Sequence, residues 1–103
     1  MNCPSDIAEV ILEILHLGML RIRLFAGARQ AQKCSIEADH LHNLPHLLLD
    51  YRPERLRYYW STERPSFMRQ VPEEERRDLT PIWDRLALLM DQHEILLPEK
   101  VAG

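Results

Sequence analysis

The feature that most constrains the fold is the opening segment 6–25, where apolar side chains cover nearly all of a helical surface. The polar residues Glu9, Glu13, His16 and Arg23 recur at helical spacing and line one narrow face of that helix. A helix with so thin a polar stripe buries several of its sides. The segment therefore predicts a helix that needs covering partners on more than one side.

A chain of 103 residues forms one domain, and two or three further helices would cover this first helix only in part. We therefore expect a homodimer in which a second copy covers the rest. A glycine inside a helix costs about 1 kcal/mol relative to alanine, so Gly18 indicates a close helix crossing. The residues that we assign to the self-association surface are Ile7, Ile11, Ile14, Gly18, Ile22 and Phe25.

The remainder of the chain has helical patterning, with no sustained alternation of β-branched and polar residues that would predict strands. Ser35 is a candidate N-cap for a second helix, and we expect Pro45 to kink that helix or to break it after Asn43. Pro53 opens a third helix, which Pro65 is expected to stop.

A last helix follows Pro72, because the three carboxylates of residues 73–75 suit the positive end of a helix. Pro81 leaves two alternatives, which are one helix kinked at Thr80 or a short helix followed by a longer one. Pro98 is expected to end this helix.

These elements predict an all-α fold, an antiparallel bundle of about four helices joined by short connections. We expect a single helical domain over residues 1–103, with an ordered core over about residues 6–97.

Composition and charge narrow the functional classes. The chain has 13 Lys and Arg residues against 16 Asp and Glu residues, and this acidic balance disfavours nucleic-acid binding. Cys3 and Cys34 are too few for a disulfide scaffold and predict reduced thiols. The longest uncharged piece of the first helix, residues 14–20, is too short for a membrane span. We therefore expect a cytoplasmic protein with no membrane partner.

A cluster of histidines is the sharpest candidate for chemistry. On an unbroken helix His42 and His46 share one face, and Asp39 lies one turn before His42. Two imidazoles and a carboxylate are a ligand set for an open catalytic metal site. The sequence thus allows a metal-dependent enzyme as an alternative function, with Asp39, His42 and His46 as the metal ligands.

A structural interpretation of the same segment is favoured, because Pro45 interrupts the helical repeat between the two histidines. His42 and Asn43 would then hydrogen-bond to carbonyl groups that Pro45 leaves free. We expect His42, Asn43 and Pro45 to form this structural unit, and we expect no cofactor.

The aromatic stretch 56–60 is a candidate recognition surface. Its three consecutive aromatic residues cannot all face the core, so Leu56, Tyr59 and Trp60 are expected to pack inside while Tyr58 points outward. Tyr and Arg are enriched in protein-recognition hot spots, and Arg between aromatic residues also suits single-stranded nucleic acid. The residues that we assign to contact with a protein partner are Arg55, Arg57 and Tyr58.

The segment Ala38-Asp39-His40-Leu41-His42-Asn43-Leu44-Pro45 resembles small uncharacterised bacterial all-helical proteins that carry an Ala-Asp-x-x-His-Asn-aliphatic-Pro core. The resemblance implies that His42, Asn43 and Pro45 act as one unit, and it implies no catalytic role.

The sequence therefore favours a bacterial protein-interaction module that is homodimeric and acts as an adaptor, a regulatory partner or a toxin-neutralising partner. The protein partner is unknown. A metal-dependent enzyme and a nucleic-acid-associated protein remain the alternatives.

Overall fold

The computed structural model describes residues 3–95, and every regular element among them is helical, which confirms the all-α class. Residues 96 and 97 of the expected ordered core lie outside the described residues. Counting the continuous helical path from Pro53 to Gln70 as one gives four helices, as predicted. The elements are α1 (Ser5–Gly27), α2 (Ala31–Leu49), α3 (Pro53–Tyr58), a π-helical turn called the π segment (Tyr59–Glu63), α4 (Arg64–Gln70) and α5 (Glu73–Gln92).

The turn between α1 and α2 is closed by a residue in the left-handed conformation. Arg29 has a φ of 57°, and the amide of Gln30 donates to the carbonyl of Phe25 at 2.7 Å. This hydrogen-bond pattern is a common helix ending that glycine normally occupies. Because the turn is complete at Gln30, α2 begins at Ala31, and the expectation that Ser35 caps it was wrong.

α5 ends with the same left-handed residue and hydrogen-bond pattern as α1. Glu94 has a φ of 59°, and the amide of Ile95 donates to the carbonyl of Met90 at 2.7 Å. Ile95 and Met90 are both buried, which is the apolar contact that accompanies this ending. The helix therefore ends at Gln92 and not at Pro98, which lies outside the described residues.

α1 lies between α2 and α5 and runs opposite to both. At the α2 side, the thiol of Cys34 near the start of α2 donates a hydrogen bond to the carbonyl of Ile22 near the end of α1. At the α5 side, Asp6 near the start of α1 is 3.0 Å from His93, which follows α5.

Pro45 and Pro81, which were expected to kink or break helices, both lie inside continuous helices. α2 continues through Pro45 to Leu49, so of the two expected effects of Pro45 the break after Asn43 was wrong, and the kink stays a prediction. α5 continues through Pro81 as one helix, so the alternative of a short helix followed by a longer one was wrong. The predicted helix starts at Pro53 and after Pro72 are confirmed.

Pro65 does not stop the third helix because the π segment precedes it. The amide of Arg64 donates to the carbonyl of Tyr59, five residues back, which is the wider π spacing. A proline ring in a helix collides with the carbonyl four residues earlier. We attribute the uninterrupted path to this local widening, which leaves Pro65 in the first turn of α4.

The isoleucine face of α1 is part of the buried core, and this corrects the predicted self-association surface. Ile7, Ile11 and Ile14 are at most 1% exposed within the single chain. Gly18 and Phe25 are also buried, and Ile22 is half-buried. Because α2 and α5 flank α1, they cover this face without a second copy. The self-association residues assigned from the sequence, which are Ile7, Ile11, Ile14, Gly18, Ile22 and Phe25, are thus taken up almost entirely by the chain's own core.

The predicted close crossing at Gly18 is confirmed. A β-carbon at this position would lie 2.5 Å from one methyl carbon of Leu41 and 3.0 Å from a carboxylate oxygen of Glu37. α1 and α2 therefore approach each other at a point where no side chain on α1 fits.

We predict that Gly18→Val lowers the free energy of unfolding by about 2 kcal/mol, because the added carbons overpack against Leu41 and Glu37. Gly27→Val is the matched control, since a β-carbon there meets nothing within 4 Å. Its effect should stay within about 0.5 kcal/mol. Urea denaturation measures both, and equal effects would contradict the close crossing.

Candidate functional site

His40 is the most unusual side chain of α2, because it lies among aromatic residues in the interior. It is 7% exposed, and its ring stacks on that of Phe67 of α4 with centroids 3.7 Å apart. Its Nε2 lies 2.6 Å from the hydroxyl oxygen of Tyr59 in the π segment. Trp83 of α5 meets the ring at its edge. The imidazole is therefore held in one orientation by three elements.

Burial sets the protonation state of this pair. Desolvation lowers the pKa of His40 to about 4, so the imidazole is neutral at pH 7. Desolvation also raises the pKa of Tyr59, whose hydroxyl keeps its proton. The second ring nitrogen of His40, Nδ1, is buried and has no hydrogen-bond partner within residues 3–95. A buried nitrogen left in this way is rare and calls for an explanation.

His40 lines a groove of about 230 Å³ between α2 and the path from the π segment into α4. Asp39 of α2 and Glu63 of the π segment contribute carboxylates, and burial raises the pKa of Glu63. Among the described residues that line the groove, none is Lys or Arg. Short π-helical turns are frequent at functional sites. The lining residues are Ile36, Asp39, His40, Asn43, Thr62, Glu63, Ser66, Phe67 and Gln70.

A buried pair of carboxyl groups joins α2 to α5 beneath the crossing at Gly18. Glu37 and Glu75 are 2% and 1% exposed. Desolvation, together with the hydrogen bond to Glu75 and its charge, raises the pKa of Glu37 to about 9, while Arg21 acts in the opposite direction. Glu37 therefore keeps its proton at pH 7 and donates a hydrogen bond to the carboxylate of Glu75.

The predicted metal ligands are not brought together. Between residues 3 and 95, no three His, Cys, Asp or Glu side chains form a group that could hold a metal ion. His42 and His46 do share an exposed face of α2, with ring centroids 6.1 Å apart, as the helical spacing predicted. Asp39 does not complete a site with them.

The expected structural unit around Pro45 also differs in detail. The side-chain amide of Asn43 donates to the carbonyl of Asp39 at 3.4 Å. The carbonyl that a proline at position 45 leaves free belongs to Leu41. Asn43 thus bonds a different carbonyl from the one expected, and both His42 and Asn43 are exposed.

The predicted division of the aromatic stretch is confirmed. Leu56 and Tyr59 are fully buried and Trp60 is half-buried, whereas Tyr58 is 59% exposed. Arg55 lines a shallow depression with Tyr58.

Arg55 and Arg57, which were assigned to partner contact, are already paired within the chain. Arg55 lies 3.2 Å from Asp50, and Arg57 lies 3.7 Å from Glu54. Any partner that binds this surface through a carboxylate therefore competes with these exposed ion pairs.

α1 presents a second surface, opposite its buried isoleucine face. Leu12, Met19 and Leu20 are 54%, 55% and 42% exposed. The exposed polar residues Glu9, His16 and Arg23 lie on the same side of α1 as these three apolar residues. We call the following set the outer face of α1, all of whose members are exposed: Glu9, Leu12, His16, Met19, Leu20 and Arg23.

The chain matches no protein-family model, no curated protein and no solved structure. Within residues 3–95, no helix has both the length and the apolar character that crossing a membrane requires.

We predict that Glu37→Gln stabilises the protein at pH 8 by more than about 1 kcal/mol but changes little near pH 4. In the unfolded chain Glu37 ionises with a pKa of about 4.5, whereas the fold raises that pKa to about 9. The folded state then binds more protons than the unfolded state between these values, so the stability that the raised pKa contributes is lost as pH rises through this interval.

Glu74→Gln is the control, because Glu74 is exposed at the start of the same helix as Glu75. Urea denaturation at pH 4, 6 and 8 measures the three proteins. A Glu37→Gln variant whose stability follows the same pH slope as the wild type would contradict the protonation of Glu37 in the folded state.

Proposed function

We propose that this protein is a homodimeric protein-interaction module in which the outer face of α1 joins the two copies. One observation carries the proposal. The outer face is exposed and partly apolar, and its apolar and charged residues are spaced symmetrically about His16, so that it matches a second copy running in the opposite direction. Leu12 and Leu20 lie four residues on either side of His16, and Glu9 and Arg23 lie seven residues on either side.

Two antiparallel copies with a twofold axis at His16 would place matching chemistry in contact. Leu12 of one copy would meet Leu20 of the other, and Glu9 would meet Arg23, each contact occurring twice. A parallel arrangement would instead set Glu9 against Glu9 and Arg23 against Arg23. The charge distribution therefore favours a second copy in the antiparallel direction.

The spacing of the outer face supports close helix packing. Glu9, Leu12, His16, Met19 and Arg23 alternate steps of three and four residues, which is the spacing of a coiled-coil seam, and Leu20 lies next to Met19 at the edge of that seam. Helices that pack along such a seam cross at about 20° with their axes about 8–10 Å apart. A polar residue at the centre of a seam fixes the register at some cost in stability, and His16 has that place.

The energy of this contact is modest. Burying an aliphatic side chain fully contributes about 1.5–3 kcal/mol, and the three apolar residues of the outer face are only about half exposed before association. Exposed ion pairs add at most about 1 kcal/mol each. After the cost of association, we expect a dissociation constant on the order of micromolar.

The surface around Tyr58 supplies the proposed contact with a different protein. Tyr58, Arg55 and Arg57 lie on α3, outside the outer face of α1. A dimer would present this surface twice, which suits an adaptor, a regulatory protein or a toxin-neutralising partner that gains from bivalent binding. Cys3 and Cys34 are both free thiols, and we place the module in the cytoplasm as part of the same proposal.

We predict that Leu12→Glu combined with Leu20→Glu converts the dimer to a monomer at 50 micromolar, because each copy then sets like charges against the other. Sedimentation equilibrium measures the mass. Leu49→Glu is the control, since Leu49 is 84% exposed but lies at the end of α2. A wild-type protein that stays monomeric at 200 micromolar would contradict the proposal.

The register is tested by disulfide trapping in a Cys3→Ser, Cys34→Ser background. His16→Cys should cross-link to itself under mild oxidation. Leu12→Cys alone should not, because the two copies of position 12 would lie about 12 Å apart along the helices, beyond the roughly 7 Å that a disulfide spans. Mixing the Leu12→Cys and Leu20→Cys proteins should restore cross-linking. Efficient self-linking of Leu12→Cys would overturn the antiparallel register.

A further inference from the structure

We propose that Arg64, held against Trp60, is an anchor for a protein partner and binds a carboxylate in an acidic segment of that partner. The site lies where the π segment meets α4, away from the outer face of α1. The proposal rests on the proposed role of the chain as an interaction module, but it does not depend on the dimer.

The π turn and Pro65 together fix the position of the Arg64 side chain. The amide of Arg64 donates to the carbonyl of Tyr59, so the carbonyl of Trp60 would accept from the residue five positions later. That residue is Pro65, which has no N–H. Nε of Arg64 donates to the carbonyl of Trp60 instead, at 3.0 Å. The side chain is thereby tied back to its own helical path.

The same bond places the guanidinium over a ring that is itself supported from the core. The guanidinium carbon of Arg64 lies 4.0 Å from the centroid of the Trp60 ring. The ring of Trp83 is nearly perpendicular to that of Trp60, with centroids 6.4 Å apart, and Trp83 is buried. An arginine that is already held by a ring and a hydrogen bond loses less conformational freedom when a ligand binds.

The charge of Arg64 has no partner, unlike the charges of Arg55 and Arg57, which form ion pairs. No carboxylate within residues 3–95 pairs with Arg64. The buried side-chain nitrogens and oxygens that lack a hydrogen-bond partner in this part of the chain belong to other residues. The Nη nitrogens of Arg64 form no hydrogen bond there either, so they are open to solvent. A guanidinium presents such donors as a fork that fits both oxygens of a carboxylate.

The surroundings of Arg64 favour a protein carboxylate over the phosphates of a nucleic acid. Trp60 precedes Arg64 by one turn and Met68 follows it by one turn, and both are half-buried, so an apolar side chain beside the acidic residue would cover them. A base could stack on the occupied side of Trp60 only by displacing Arg64. Nucleic acids are held through many phosphates, which the net charge of -3 opposes.

The test uses a capped peptide of alternating Asp and Leu residues as the probe. A matched peptide with Asn in place of Asp and an oligonucleotide of thymidines are the comparisons. Binding to the full chain is followed by the side-chain ¹⁵Nε resonance of Arg64. We expect a saturable shift with the acidic peptide, at a dissociation constant of about 1 millimolar or less. The Asn peptide should bind more than about fivefold more weakly, because it offers no charged fork acceptor. Tighter binding of the oligonucleotide than of the acidic peptide would overturn the partner class.

Arg64→Lys keeps the positive charge but loses the fork, and it should weaken binding of the acidic peptide by more than about fivefold. Arg69→Lys is the control, since Arg69 is exposed on the same helix, and it should leave binding unchanged. Circular dichroism confirms folding, and the wild-type resonance alone tests the site should Arg64→Lys fail to fold. Equal binding by the two variants, or no saturable shift of the wild-type resonance, would overturn the site. Sedimentation of the same samples separates the two proposals, because a monomer that binds the peptide through Arg64 supports this site and contradicts only the dimer.

Discussion

The structure depends on the close packing of α1 between α2 and α5. Apolar side chains of α1 fill the core on one side of that helix, and Gly18 lets α2 approach until no β-carbon fits between them. The same crossing brings a carboxylate oxygen of Glu37 to within 3.0 Å of where that β-carbon would lie. Glu37 and Glu75 are thereby enclosed together, and burial beside Glu75 raises the pKa of Glu37. Tight packing and the raised pKa of Glu37 are two consequences of one contact.

The helical class and two of the helix starts could be predicted from the sequence because they depend on local chemistry. Pro53 and Pro72 mark helix starts that the structure contains, and Gly18 marked the crossing. The predicted break at Pro45 and the predicted stop at Pro65 were wrong, because a helix held by tertiary contacts tolerates a proline that an isolated helix does not. The π turn before Pro65 was not predicted, because no residue pattern in the sequence indicates it.

The candidate site was harder to predict, because burial depends on which face of each helix the rest of the chain covers. His40 stood next to the more conspicuous pair His42 and His46, which the structure leaves exposed. A signal was present in the spacing, since Glu37, His40 and Leu44 fall on one face of α2 and are all buried. Two of these three residues are polar, so a search for apolar periodicity does not identify this face as buried. The sequence showed that α1 has apolar residues on more than one side. It did not show that the chain itself covers the isoleucine face and leaves Leu12 and Leu20 exposed.

The central claim is that α1 pairs with a second copy of itself in the antiparallel direction. Pulsed electron resonance measures this directly, with one spin label per copy in a Cys3→Ser, Cys34→Ser background, attached either to Glu9→Cys or to Arg23→Cys. An antiparallel pair centred on His16 places both label pairs at about 20 Å, from 1.5 Å of rise per residue. Two equal distances near this value would support the claim. Short distances near 10 Å at both positions, or no dipolar coupling at either, would contradict it.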